Sequence, residues 1–186
     1  MKNVSLLATL VLILGLCFTV YGFQDDNATN TLSFVVQPEA LAEITIGTGT
    51  NTAIEMPFNL YFRNSWAQCM YYADEIGMPA GVIYQIKYFT NFAAAATRPV
   101  RIFMANTTEV SLAQWMGADN FTQVYEGNYD FPVVQNEVIF TLDQPFVYTG
   151  DNLVILTHKE YTTAVTNNQH FVQTTSSVAN RSRYYR

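Results

Sequence analysis

Beyond Gly81 the chain is written in short runs where apolar and polar residues alternate, each closed by a turn signal. Val82, Tyr84, Ile86 and Tyr88 fall on one side of the first run, with Gln85 and Lys87 on the other. A period of two is the spacing of a strand with one covered face. In the next run Val100, Ile102 and Met104 point inward and Arg101 outward. Further runs lie at Phe121–Tyr125, Glu137–Leu142, Asn152–His158, Phe171–Thr174 and Arg181–Tyr185. Leu153 to Leu156 is apolar throughout, which predicts a central strand covered on both faces. Upstream, Thr31–Val36, Leu41–Ile46, Phe58–Arg63 and Trp66–Tyr72 read as strands. Asn91 to Arg98 reads as a connection too short for a stable helix. The one short helix expected is Val110–Met116, signalled by Thr107-Thr108 and a first-turn Glu109. About ten strands with almost no helix predict an all-β fold, a two-sheet antiparallel β-sandwich.

A chain of 186 residues predicts one domain. Residues 1–22 read as a signal peptide, with Lys2 in the n-region, Leu6 to Val20 as the apolar core and a small-residue site ending at Gly22. The apolar run is shorter than the ~20 residues a membrane span needs, so no span is expected in the mature chain. Leu16 stands where lipidation of Cys17 would need a small residue. Residues 23–45 read as a strand-forming N-terminal extension and 46–186 as the sandwich domain. After cleavage only Cys69 is left, so no intramolecular disulfide is expected, and Cys69 reads as a small buried hydrophobe. A net charge of −6 argues against nucleic acid and anionic membrane surfaces as partners, since both need basic patches.

The stretch Ile46 to Gly77 carries a resemblance. It holds Ile46-Gly47-Thr48-Gly49-Thr50, then Pro57-Phe58-Asn59-Leu60-Tyr61-Phe62, then Ser65-Trp66-Ala67-Gln68, and closes on Asp74-Glu75-Ile76-Gly77. Gly81 to Tyr88, Pro99 to Thr108 and Pro145 to Val154 follow in order. Together these segments resemble a β-sandwich surface module, similar to adhesin modules, repeated in large secreted proteins of didermal bacteria. The resemblance runs from Ile46 to Tyr185. It implies a jelly-roll-like sandwich and no catalytic residues to carry over.

The residues that could carry chemistry do not assemble into a motif. His158 and His170 are the only histidines and lack metal-ligand spacing. No serine sits in a nucleophile elbow, and Cys69 with a distant histidine is better read as packing. Glu55, Asp74, Glu75 and Asp119 read as surface charge rather than a glycosidase pair. Asp25-Asp26 and Asp151-Asn152 lack the dense acidic spacing of a calcium loop. No cofactor and no metal are expected. Trp66 and Trp115, with Tyr71, Tyr72, Tyr184 and Tyr185, are candidates for a sugar-stacking platform. Asn27, Asn106, Asn120 and Asn180 head glycosylation triplets.

The expectation is a secreted, cell-surface-associated, non-enzymatic structural or adhesive protein. Its first form is an extracellular filament subunit. Leu32, Phe34 and Val36 of the extension would anchor a strand added to the next copy of the chain. Pairing of that strand within its own subunit is the alternative arrangement. The alternative function is a monomeric carbohydrate-binding or adhesin module whose partners are surface glycans.

Overall fold

The structure is a computed structural model and describes residues 17–18, 28–30, 32–36, 42–49, 51–133, 137–161, 170–175 and 177–186. Its elements are β1 (Cys17–Phe18), β2 (Ala28–Asn30), β3 (Leu32–Val36), β4 (Ala42–Ile46), β5 (Asn51–Ala53) and β6 (Asn64–Tyr71). Then come α1 (Ala73–Ile76), β7 (Gly81–Asn91), β8 (Ala96–Thr107), a single 3-10 turn (Ala118–Asn120) and β9 (Thr122–Phe131). β10 (Glu137–Tyr148), β11 (Asn152–Glu160), β12 (His170–Thr175) and β13 (Ser182–Tyr185) complete the order. One sheet runs β13-β6-β11-β8-β9. The other runs β10-β7-β12-β2, with β3 also on β7 and β5 also on β12. Pairing within both is antiparallel; the two-residue β1 lies parallel to β4. The chain is an all-β, two-sheet antiparallel sandwich.

Alternation places the core between the sheets. Val138, Phe140, Leu142, Phe146 and Tyr148 of β10 are buried, with exposed residues between most of them. Val100, Ile102 and Met104 do the same on β8. At the centre Phe58 meets Tyr88, Phe131, Phe140 and Phe171, with ring centroids 5.7 to 6.4 Å apart. Leu32, Phe34, Ile44 and Ile46 belong to the same apolar cluster, so the segment read as an extension helps build the sandwich. Cys69 is buried with its Sγ 3.7 Å from Met56 Sδ, the packing role expected of it.

β11 is the middle strand of its sheet, with residues 153–159 all buried, as its unbroken apolar run predicts. Ile155→Ala should therefore cost about 2–5 kcal/mol in urea unfolding, the range for truncating a buried aliphatic side chain. A loss under about 0.5 kcal/mol would fit an exposed position instead and contradict the placement.

Three local expectations are corrected. Phe58–Arg63 is not a strand. Asn59 Oδ1 accepts the backbone N–H groups of Tyr61 (3.0 Å) and Phe62 (3.1 Å), so the amide bends the chain before a ladder forms. Val110–Met116 is not a helix. Thr107 Oγ1 turns back to the N–H of Glu109, and the segment's carbonyls are taken by side chains from other elements. The helix that does form, α1, follows β6 directly. Glu75 Oε2 accepts the N–H of Tyr72 at 3.0 Å, and Gly77 ends the turn in the left-handed region at φ 67°. On β7, Ile83 is fully buried while Val82 and Tyr84 are only half-buried. Gln85 pairs with Thr141 and Ile83 with Phe146, so Tyr84 is skipped and the alternation changes phase there.

Candidate functional site

One face of the five-stranded sheet packs on the core; its other face is half covered and half open. Along β11, Leu153 and Ile155 point into the core, while Val154, Leu156, His158 and Glu160 point out. Residues 108–121 lie over the Val154 end as a strap. They bring Leu112, Met116 and Phe121 against Met70, Val154 and Tyr72. Side chains hold the strap by its backbone. Gln68 donates to Met116 O (2.8 Å) and accepts Met116 N–H (2.9 Å). Arg183 donates to Leu112 O and Ala113 O, Asn152 to Glu109 O and Tyr72 to Val110 O.

The open half carries a row in strict register with one residue from each strand. Tyr185 pairs with Trp66, Trp66 with His158, His158 with Arg101, and Arg101 with Glu126. Four strand spacings make the row ~19 Å long. The Trp66 and His158 rings stack at 3.7 Å with planes 13° apart. Rings stacked across a gap of ~4.8 Å between strands must stand upright on the sheet. The pair is therefore a partition. On one side Trp66, Trp115, Tyr185, Met116, Leu156 and Gln68 line an aromatic slot of about 290 Å³. On the other, His158, Arg101, Glu126, Glu160, Asn64, Asn128 and Arg63 line a cleft of about 680 Å³, with Pro99, Val100 and Tyr161 also in its wall. Trp66 is 37% exposed, Trp115 42% and Tyr185 69%, so three large aromatic rings meet solvent around one slot.

Within the cleft Arg101 is paired with its neighbours. Arg101 Nε donates to Glu126 Oε1 at 2.7 Å, and its Nη1 lies 3.9 Å from Glu160 Oε2 and 3.3 Å from His158 Nδ1. Hydrogen bonds from Arg101 and Gln123 hold the Glu126 carboxyl below its ordinary range. Beneath the cleft Lys159 is fully buried and donates to Phe62 O, which fixes the wall carrying Arg63 and Asn64. Burial, then the Arg98 charge, lowers its ammonium to about 8.

Burial beside Trp66, and then Arg101, lowers the His158 imidazole below 6.5; Glu160 opposes this and Lys159 adds to it. The folded state therefore binds fewer protons than the unfolded state as pH falls through 6.5. Stability from this site is complete above that pH and declines below it, down through the lowered folded value. Thermal unfolding from pH 7.5 to 5 should show that decline, and His158→Gln should flatten part of it. An identical pH profile in the variant would contradict the protonation argument.

The sequence candidates fall in different places. Trp66 and Trp115, far apart in the chain, line the same slot. Tyr184 and Tyr185 are exposed on β13, but Tyr71 is fully buried in the core and Tyr72 is half-buried under the Arg181 guanidinium, so these two form no platform. Leu32 and Phe34 are fully buried, and β3 pairs with β7 of its own chain. The Val36 backbone pairs with Ile83; its side chain lies outside the described residues. Asn106 donates to Val147 O and accepts Thr149 N–H, holding the end of β10. Asn120 and Asn180 are exposed, the latter at φ 58°. Asn27 and Asp25-Asp26 lie outside the described residues, as do residues 1–22 apart from Cys17–Phe18. Asp151 accepts from Thr149 Oγ1, and Asn152 bonds Ala73 and Glu109. His170 faces Thr52, on the other sheet from His158. Glu126, Glu160 and Asn64 were not singled out by sequence, and alternation marks them poorly, because the inward neighbours of Asn64 and Glu160 are the polar Ser65 and Lys159. Among the described residues no helix is long and apolar enough to cross a membrane. No protein-family model, curated protein or solved structure matches this chain.

Proposed function

We propose that this chain is an extracellular, non-enzymatic adhesive protein that holds carbohydrate on the open face of its five-stranded sheet. The observation that carries the reading is the slot in which Trp66, Trp115 and Tyr185 stand exposed beside a hydrogen-bonding cleft. A pyranose has an apolar C–H face and a rim of hydroxyls. Flat aromatic walls cover the first, and the amides and carboxylates beyond the partition meet the second. Export rests on the Leu6 to Val20 run and the small Gly22.

Isothermal titration of the secreted chain against a panel of oligosaccharides tests the reading. At least one should bind, and Trp66→Ala or Trp115→Ala should each lower its affinity by about thirtyfold, the loss of a central aromatic anchor of about 2 kcal/mol. Binding that ignores both substitutions, or no binding across the panel, would contradict it.

A second reading is assembly through the N-terminal strand, which would require β3 to leave the sheet of its own chain, where it lies in this structure, for a neighbouring copy. In its own chain β3 pairs with β7 at five register positions and buries Leu32 and Phe34 completely. The same contact made between copies would join subunits head to tail, and such a contact does not close. Deleting residues 23–38 should then abolish fibres in electron micrographs of the secreted protein. An intact chain that sediments as a monomer at high concentration would contradict assembly.

A further inference from the structure

Building on the carbohydrate reading, we infer that Glu126 and Glu160 set the charge selectivity of the cleft: they hold Arg101 as an internal counter-ion, so the face accepts neutral oligosaccharides and refuses uronate-bearing or sulfated ones. An open arginine on a sugar-binding face is the natural fork for a carboxylate or sulfate. Arg101 is not open in that way. Glu126 engages its Nε at 2.7 Å, and Glu160 stands 3.9 Å from its Nη1. The neighbouring His158 offers Nδ1 to the same guanidinium rather than a second positive charge.

The local charge balance points the same way. Among the side chains lining the cleft, Arg63 and Arg101 are the cations and Glu126 and Glu160 the anions, so their formal charges cancel, while the Lys159 and Arg98 charges lie buried behind the wall. Asp143 Oδ2 accepts the Glu126 backbone N–H at 2.9 Å, a further negative charge next to that residue. The whole chain carries −6, which repels a polyanion before contact. What stays available around Arg101 is hydroxyl chemistry. The Glu126 and Glu160 side chains are 49% and 66% exposed, so carboxylate oxygens remain open to hydroxyl donors. Glu126 is held from two sides, by Arg101 and by Gln123 Nε2 at 3.0 Å. Glu160 is held more loosely and is the freer acceptor. Asn64 and Asn128 add amides that both donate and accept.

The test compares the full chain with the Glu126→Gln/Glu160→Gln double variant. Both are titrated with neutral gluco-, xylo- and manno-oligosaccharides and with oligogalacturonates, at low and at physiological salt. The parent should bind a neutral probe and leave oligogalacturonate unbound. The double variant releases Arg101 and makes the cleft net positive. It should gain oligogalacturonate affinity by about tenfold or more, weakening with salt, and lose neutral affinity by a similar factor. Thermal unfolding checks that the variant is folded. The single variants carry the same readout if the pair is not. A parent that prefers oligogalacturonate, or a variant whose uronate-to-neutral ratio is unchanged, overturns the selectivity while leaving a carbohydrate-binding face. A parent that binds no probe overturns both.

Discussion

Phe58→Ala should lower the unfolding free energy by about 3–5 kcal/mol, the range for removing a buried aromatic side chain. Phe58 is fully buried, and its ring makes edge or tilted contacts with Tyr88, Phe131, Phe140 and Phe171. Those partners come from β7, β9, β10 and β12, strands of both sheets. Phe58 itself comes from the Asn59 bend, where the backbone makes no ladder. Its position therefore depends on packing, and the bend depends on it in turn. Each aromatic pair adds about 0.5–1.5 kcal/mol beyond the buried area, so truncation loses several terms at once. Domains of this size are stable by only about 5–15 kcal/mol, which makes the loss a large fraction of the total. Urea unfolding measures it directly. Phe58→Leu, which keeps most of the volume, should recover much of the stability. A loss under about 1 kcal/mol for the alanine variant would contradict the assignment of Phe58 to the centre of the core.

Phe34→Ala should have a comparable effect, about 3–5 kcal/mol. Phe34 is fully buried, pairs with Ile86 across β3 and β7, and belongs to the same apolar cluster as Phe58. The measurement also distinguishes the two arrangements of β3. With the strand in its own sheet, the parent Tm and the loss in the variant are independent of protein concentration. A parent Tm that rises with concentration, and ceases to do so in Phe34→Ala, would show β3 filling a neighbour's groove. A small loss at every concentration would contradict burial of Phe34 in either arrangement.

Most of the sandwich was legible because its strands alternate and its turns are marked. Leu153 to Leu156 announced the middle strand, and Val100, Ile102 and Met104 announced the covered face of β8. The failures share a cause. At Asn59 and Thr107 a side chain offered the backbone a local partner and diverted it from ladder or helix. At Tyr84 one skipped residue reversed the faces of a strand whose periodicity read cleanly. The candidate face was legible only in part. Trp66 and Trp115 stood out by type, yet their meeting depends on Gln68 clipping the strap at Met116. The row from Tyr185 to Glu126 depends on the register of five strands, which no local pattern states.

The carbohydrate reading is tested most directly by a two-dimensional amide and indole NMR titration of the chain with the oligosaccharide that binds it. The Trp66 and Trp115 indole signals should move together with the amides of Tyr185, His158, Arg101 and Glu126, while β7 and β10 stay in place. Shifts confined to the six-stranded sheet, or spectra unchanged by every oligosaccharide at millimolar concentration, would contradict it.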